Sequence, residues 1–205
     1  MKRSFTRFSH PDIEQLKLQL LHWSKRYSTT VVLDSNDYTH QETDYDFILA
    51  TDPFSVVQSQ SHHAFTALQT QLHSHSDWLF GYLSYDLKNG LEKLQSQNLD
   101  HLDFPELFFF QPKRLWIIKG NRVEAHYLSP YLPNDDWKQI MSTSNQYADS
   151  IEKEVFMQHR ISKADYLAKT QALQQHIARG DIYEVNFCME LYACLLYTSP
   201  SPRDA

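Results

Sequence analysis

His176-Ile177-Ala178-Arg179-Gly180-Asp181-Ile182-Tyr183-Glu184-Val185-Asn186 changes its period in the middle, and the change decides the reading of the chain. Upstream, Tyr166, Thr170, Leu173 and Ile177 recur at helical spacing. Ser162 stands at the N-cap of that helix, with Asp165 three residues on in a capping-box-like pattern. Arg179 lies in the last turn, and Gly180 supplies a left-handed C′ residue. Beyond it the spacing becomes two, which predicts a strand over 181–191. Tyr183, Val185, Phe187, Met189 and Leu191 would face one side, and Ile182, Glu184, Asn186, Cys188 and Glu190 the other. Two polar groups on one face of a buried strand need partners, because an unsatisfied buried polar group costs about 1–3 kcal/mol. From spacing alone, bonds to neighbouring loops and a role in a site both stay open for Glu184 and Asn186.

Working outward, strands dominate the earlier chain and arrive in runs. Pro11 to Tyr27 reads as a helix that Ser9 can cap, with Ile13, Leu16, Leu20 and Trp23 inward and Lys17, Gln19 and Lys25 toward water. Thr29 to Leu33 and Tyr45 to Ala50 read as strands, the second closed by Asp52-Pro53. A helix is expected in the second half of 54–75, with Phe65, Leu68 and Leu72 on one stripe. Asp77 to Asp86 reads as a strand in which Gly81 marks a bulge or a close backbone approach. Gly90 to Leu99 is a charged connector, Glu106 to Phe110 a strand, and 115–119 and 122–128 a hairpin around Gly120-Asn121. Asp136 to Tyr147 is weakly helical, and Ala148 to His159 is a polar seam. Runs of strands rather than a regular strand–helix alternation give an α+β class, with antiparallel sheets flanked by helices. The regions expected are 1–150, 151–193 and a closing segment 194–205.

The chain has 205 residues, 41% hydrophobic and 14% aromatic, so a real core can form. A mean hydropathy of −0.54 and no long apolar run argue against a membrane-spanning helix. The first residues lack the apolar stretch of a secretory signal, and the default is a cytoplasmic protein. Nineteen basic against 25 acidic residues give a net charge of −6, which argues against a nucleic-acid or anionic-membrane surface. Cys188 and Cys194 cannot build a disulfide framework or a zinc site alone. Four glycines, with neither GxGxxG nor a Walker loop, remove the commonest nucleotide-binding readings. His62/His63 and His73/His75 bracket a helix without acidic or Cys partners at ligand spacing, so a solvated face is expected, with no metal site. Phe108-Phe109-Phe110 is expected in a sheet core, since no basic groove accompanies it.

The run from Tyr166 to Leu191 resembles the linker helix and first strand of the chorismate-utilising domain in anthranilate synthase component I and aminodeoxychorismate synthase component I. That family's pattern is close to H-I-x-x-G-D-I-Y-Q-V-N. Gly180, Asp181, Tyr183, Val185 and Asn186 match directly, and Glu184 stands for Gln. Gly81-Tyr-Leu-Ser-Tyr-Asp86 is similar to the family's G-Y-x-x-Y-D, and Val31-Val-Leu-Asp-Ser35 to its L-L-E-S, with Asp34 in place of Glu. The hairpin from Trp116 to Tyr127 fits the same order.

The resemblance implies two packed antiparallel sheets flanked by helices, of which this chain would form an incomplete half. It implies a Mg²⁺-dependent reaction on chorismate, with ammonia supplied by a glutamine amidotransferase subunit as partner. The Mg²⁺ carboxylates and the acid–base residues of the family are expected downstream of Ala193, so no catalytic or metal-binding residue is assigned. Asn186 resembles the family's asparagine near the substrate. Ser35, Asp44 and Tyr45 resemble its tryptophan-binding wall, although Ser35-Asn36-Asp37 would also make an ordinary solvated turn. An asparagine at 186 favours the aminodeoxychorismate branch of folate biosynthesis over anthranilate synthase, with isochorismate or salicylate synthases third. A module that only docks an amidotransferase or binds tryptophan is the alternative from another class. Residues 194–204 resemble the translation of a transposase sequencing adapter, so native sequence is expected to end near Ala193.

Overall fold

The computed structural model describes residues 2–36, 38, 44–60, 63–74, 76–92, 94–95, 100, 102–143 and 156–193. The chain divides into two compact units, Met1–Gln146 and Tyr147–Ala205. The first is built on a six-stranded antiparallel sheet and the second on one helix with a two-stranded pair. The class is therefore α+β, as the strand runs predict.

In the first unit β1 (Arg3–Phe8), β2 (Thr30–Asp34), β3 (Phe47–Ser59), β4 (Phe80–Leu83), β5 (Leu107–Lys119) and β6 (Arg122–Leu128) lie in the order β1-β6-β5-β3-β2. β3 pairs with β5 over nearly its whole length. On the other side, β5 is shared end to end: β4 covers Leu107 to Phe110 and β6 covers Arg114 to Lys119. The three residues between have no strand beside them there. Arg3 fills the gap, its Nη2 donating to the Pro112 carbonyl (2.7 Å) and its Nη1 to the His126 carbonyl (2.8 Å). Asp77 holds that guanidinium through both oxygens (2.8 and 2.7 Å) and accepts from Gln111 Nε2 (2.6 Å). Burial alone would raise the Asp77 pKa, but the bonds from Arg3 and Gln111 outweigh it and hold the carboxyl below the usual range.

The sheet has a helix-covered face and an open one. α1 (Ile13–Ser24) and α4 (Pro133–Ser142) pack on the first, where Leu16, Leu20, Trp23, Leu49, Ile118, Val123 and Ile140 surround Trp116. The Trp116 ring meets Trp23, Tyr127 and Trp137 with centroids 5.8–6.2 Å apart. α1 is capped by Asp12, which accepts from the Gln15 amide (2.9 Å), not by Ser9. Lys17 and Gln19 are buried rather than turned to water. Lys17 pairs with Glu14 (2.8 Å) and Asp34 (3.3 Å), and Gln19 donates to the Thr143 carbonyl (3.3 Å). Helical spacing can foresee Glu14, an i,i+3 neighbour of Lys17, but not Asp34 or the Thr143 carbonyl.

On this face an ion cluster also ties four elements. Arg114 of β5 bonds Asp52 of β3 and Asp136 of α4 (2.8 Å), and Tyr127 of β6 donates to Asp136 (2.9 Å). The guanidinium lies over the rings of Tyr27, Tyr127 and Tyr131 at 5.0–5.8 Å. Burial, with Asp136 beside it, pushes the Tyr127 hydroxyl far above its ordinary pKa, so it stays a donor.

Several strand limits differ from the sequence reading. β1 escapes it altogether: Arg3, Phe5 and Arg7 alternate with Ser4, Thr6 and Phe8, too polar a pattern to stand out from a tail. Asp52-Pro53 does not close β3. Asp52 takes φ +60°, the register shifts between Pro53 and Ser55, and the strand continues. Pro53 stands opposite Pro112, so neither missing N–H breaks a rung from one side alone. Glu106–Phe110 and Leu115–Lys119 are two ends of one strand, β5. The 77–86 strand shrinks to β4, followed by a 3₁₀ turn over Tyr85–Leu87 and the single-turn α3 (Lys88–Leu91). Within β4, Gly81 lies against Phe108 and Phe109 backbone, the close approach its place in the strand suggests. α2 (Ala64–Ser74) and the Gly120-Asn121 hairpin form as expected.

In the second unit α5 (Lys163–Arg179) has the predicted ends. Ser162 Oγ accepts from the Asp165 amide (3.1 Å), and Gly180 takes φ +81°. The strand expected over 181–191 is not formed. Only β8 (Leu191–Tyr192) pairs, with β7 (Gln158–His159). A strand needs a neighbour for its N–H and C=O groups, and among the described residues no strand pairs with 181–189, while at 190 the Arg160 amide donates to the Glu190 carbonyl (3.0 Å). Of the two packed sheets the resemblance implies, one large sheet is present among the described residues. No helix among them is long and apolar enough to cross a membrane.

Candidate functional site

The open face of the sheet carries Ile48, Ala50, Leu115 and Ile117 in the centre, covered by Trp78 and Phe80. Trp78 stacks on Phe80 (5.9 Å, 8° between planes) and meets Tyr45 edge-on (5.9 Å). Beside this aromatic cover, on the same face, a cavity of about 290 Å³ is lined by Asp44, Tyr45, Ile117, Lys119, Arg122 and Glu124. It lies between the loop entering β3 and the β5–β6 hairpin.

Asp46 joins those two walls. Its amide donates to the Ile118 carbonyl (2.9 Å), and its carboxylate accepts from the Gly120 amide (2.6 Å). Gly120 sits at φ +51°, a conformation a hairpin turn asks of its first residue and a side chain opposes. The period of two in β5 and β6 then sends Ile117 and Lys119, with Arg122 and Glu124, to the open face.

The floor carries opposite charges in a fixed order. Glu124 accepts from Arg122 Nε (2.7 Å), Arg7 Nε (3.1 Å) and His126 Nε2 (2.9 Å). Loss of water around Glu124 would raise its pKa, but the bonds from His126, Arg122 and Arg7 dominate and bring it to about 2. A depressed folded pKa contributes stability that is complete above the unfolded value and is lost as pH falls through the folded one. The Glu124 contribution is therefore expected to fade between about pH 4.5 and about pH 2. Acid titration of Glu124→Gln checks this. Its stability should fall less steeply than the parent's over that window, and parallel curves would contradict the assignment. Across the mouth, Lys119 Nζ stands 3.6 Å from the Asp44 carboxylate, both side chains mostly in solvent.

Asp44 and Tyr45 thus line one cavity, whereas Ser35 does not. The Ser35 amide donates to the Asp46 carbonyl (2.9 Å), and Asn36 takes φ +50° with its amide on Asp34 Oδ1 (2.9 Å). Asp37, Glu42 and Thr43 lie outside the described residues, as do His62, His75 and Cys194 to Ala205. Sequence reasoning missed Lys119, Arg122 and Glu124. Their signal was the alternation of the hairpin itself, which puts Lys119, Arg122 and Glu124 on the same face as Leu115 and Ile117.

Asn186 is exposed in the unpaired segment, as are Glu184 and Cys188. The motif before it has a local physical meaning. The Asp181 carboxylate meets His176 Nδ1 and Arg179 Nη2, both at 2.8 Å, while the Asp181 amide donates to the His176 carbonyl (3.0 Å). The first His and the Asp of H-I-x-x-G-D therefore clamp the glycine turn from both sides. Phe187 folds back to stack on Tyr166 (5.1 Å). Among the described residues no three His, Cys, Asp or Glu gather to hold a metal ion, so Mg²⁺ finds no ligand set there.

The family model for chorismate binding enzymes matches residues 20–200, and the chain belongs to that family. It is also 25% identical over 126 residues to an anthranilate synthase component I-like protein of Synechocystis sp.. That stretch covers 58% of this chain and 25% of the relative, so the chain matches about a quarter of the relative's length.

Proposed function

We propose that this chain is part of an aminodeoxychorismate synthase component I. In that reaction the C4–O bond of chorismate breaks, the hydroxyl leaves as water, and ammonia forms the new C4–N bond of 4-amino-4-deoxychorismate. A glutamine amidotransferase subunit would supply the ammonia, and the product would enter folate biosynthesis in the cytoplasm. The observation that supports this branch is the segment Tyr183-Glu-Val-Asn186, read within a family match that spans it. Asn186 is the residue proposed to meet chorismate. Its exposure in an unpaired segment suits a group that is positioned only when a neighbouring strand completes the site.

Mg²⁺ would polarise the leaving hydroxyl, and the residues that hold it are proposed to lie outside residues 1–193. Purified alone, the 205-residue chain is therefore expected to give no turnover of chorismate with ammonium and Mg²⁺. Robust conversion would overturn the proposal. The branch is decided by expressing the full reading frame from the source DNA with chorismate and ammonium. A 4-amino-4-deoxychorismate product is expected, and fluorescent anthranilate would assign the anthranilate synthase branch instead. The name of the Synechocystis relative favours that second reading.

Tryptophan is proposed as an effector at the wall formed by Asp44 and Tyr45, with Ser35 beyond it. The apolar side of the cavity, Tyr45 and Ile117, supports an aromatic occupant.

A further inference from the structure

We propose that β2 is a dimerisation edge: the outer side of Thr30–Asp34 pairs antiparallel with the same strand of a second copy of this chain, about a two-fold axis at Val32. β2 ends the sheet order, and among the described residues no strand other than β3 lies beside it.

The first observation is where the backbone groups of β2 point. The Ser35 amide donates to the Asp46 carbonyl, in step with the β2–β3 register. Hydrogen-bonding direction alternates along an antiparallel strand. Val31 and Leu33 therefore also turn their N–H and C=O groups to β3, and Thr30, Val32 and Asp34 turn theirs outward. A two-fold pair centred on Val32 sets Val32 opposite Val32 and Thr30 opposite Asp34, and each facing pair exchanges two main-chain bonds. The second observation is what that register puts side by side. On the open face Val31 meets Leu33 of the second copy, and Leu33 is 52% exposed. On the helix-covered face Leu21 lies one turn on from Lys17, whose ammonium reaches Asp34, so it stands on the flank of α1 nearest the edge. Leu18 and Leu21 are each 38% exposed. Apolar groups thus lie on both faces of the seam. The lone charge of the strand, Asp34, is already met by Lys17 (3.3 Å) and would face a neutral threonine.

The third observation is the contrast with the opposite edge. Sheet edges are kept from pairing by charged side chains, proline or bulges. On β1 the Ser129 amide donates to the Lys2 carbonyl, so Arg3, Phe5 and Arg7 turn their backbone groups outward. The same two-fold operation there sets Arg3 directly against Arg7, and like charges in that position are destabilising. β2 has no Lys, Arg, Pro or register shift. One edge is guarded and the other is complementary to itself, which selects a second copy as the occupant.

The test is sedimentation of the whole 205-residue chain across the micromolar range, with amide hydrogen exchange read residue by residue. A monomer–dimer equilibrium is expected. As concentration rises, the amides of Thr30, Val32 and Asp34 should gain protection, while those of Val31 and Leu33, already bonded to β3, should not change. Leu33→Lys and Leu21→Lys should each weaken dimerisation about tenfold or more. Phe5→Lys, on the guarded edge, should leave it unchanged. A chain that stays monomeric throughout overturns the proposal. So does a dimer whose Thr30, Val32 and Asp34 amides exchange as in the monomer, or one that Phe5→Lys dissociates and Leu33→Lys does not. Should a variant fail to fold by circular dichroism, the exchange pattern of the parent chain decides.

Discussion

Gly81→Val is expected to lower stability by about 3 kcal/mol or more, an overpacking loss at the upper end of its usual range. Gly81 pairs with Phe109 in the β4–β5 ladder. A Cβ placed on it would stand 1.9 Å from the Phe108 carbonyl oxygen, 2.6 Å from Phe109 Cα and 2.8 Å from the Phe108 carbonyl carbon. All three are backbone atoms of the longest-paired strand, and no rotamer change relieves them. β4 would have to leave β5, and Phe80, 6% exposed against Phe110, would lose its place. With Phe80 goes the stacking partner of Trp78, so the aromatic cover over the open face loosens too. Urea unfolding followed by tryptophan fluorescence measures the effect. Gly81→Ala should already show most of the loss, and an unchanged midpoint for Gly81→Ala would show that the approach is not tight.

Arg114→Ala carries the second large effect, a loss of about 3–5 kcal/mol, typical of breaking a buried ion pair from one side. Its side chain is 15% exposed and sits among two carboxylates and three tyrosine rings. Among the described residues, removing it leaves Asp136 with the Tyr127 hydroxyl and Asp52 with Lys113 (2.9 Å) as side-chain partners. Asp52 needs its partners more than most residues do, because its φ of +60° is itself unfavourable for a side-chain-bearing residue. A double-mutant cycle of Arg114→Ala with Asp136→Ala isolates the pair. Additive losses would mean that the two side chains stabilise the fold independently, against the geometry described above.

The sequence makes the second unit's helix legible because its signals are local. Ser162, Asp165 and Gly180 act within one turn of themselves, and their bonds are those the spacing predicts. The Gly120 hairpin is legible for the same reason. What escapes is whatever depends on distant partners. Lys17 reads as solvated because Asp34 is 17 residues away, and Asp52-Pro53 reads as a stop because the facing Pro112 is 59 residues on. The 181–191 strand shows the opposite failure: its alternation is genuine, but alternation names a surface and not the strand that must cover it. Tyr183, on the face that alternation assigns to the core, is accordingly 92% exposed. The candidate site was half legible. Asp44 and Tyr45 came from resemblance, while the charged floor of the hairpin needed the register of β5 and β6 to bring it beneath them.

Arg3 has a consequence for the identity of the residue at its own position. Between β4 and β6 a guanidinium takes the place of a missing rung, donating to two carbonyls from separate strands while a carboxylate braces it from behind. Only a flat, forked cation can hold four such directions at once; an ammonium is a single point on a flexible stem. That bolt closes the stretch of β5 that neither β4 nor β6 reaches, and lysine, for all its charge, would leave the joint rattling.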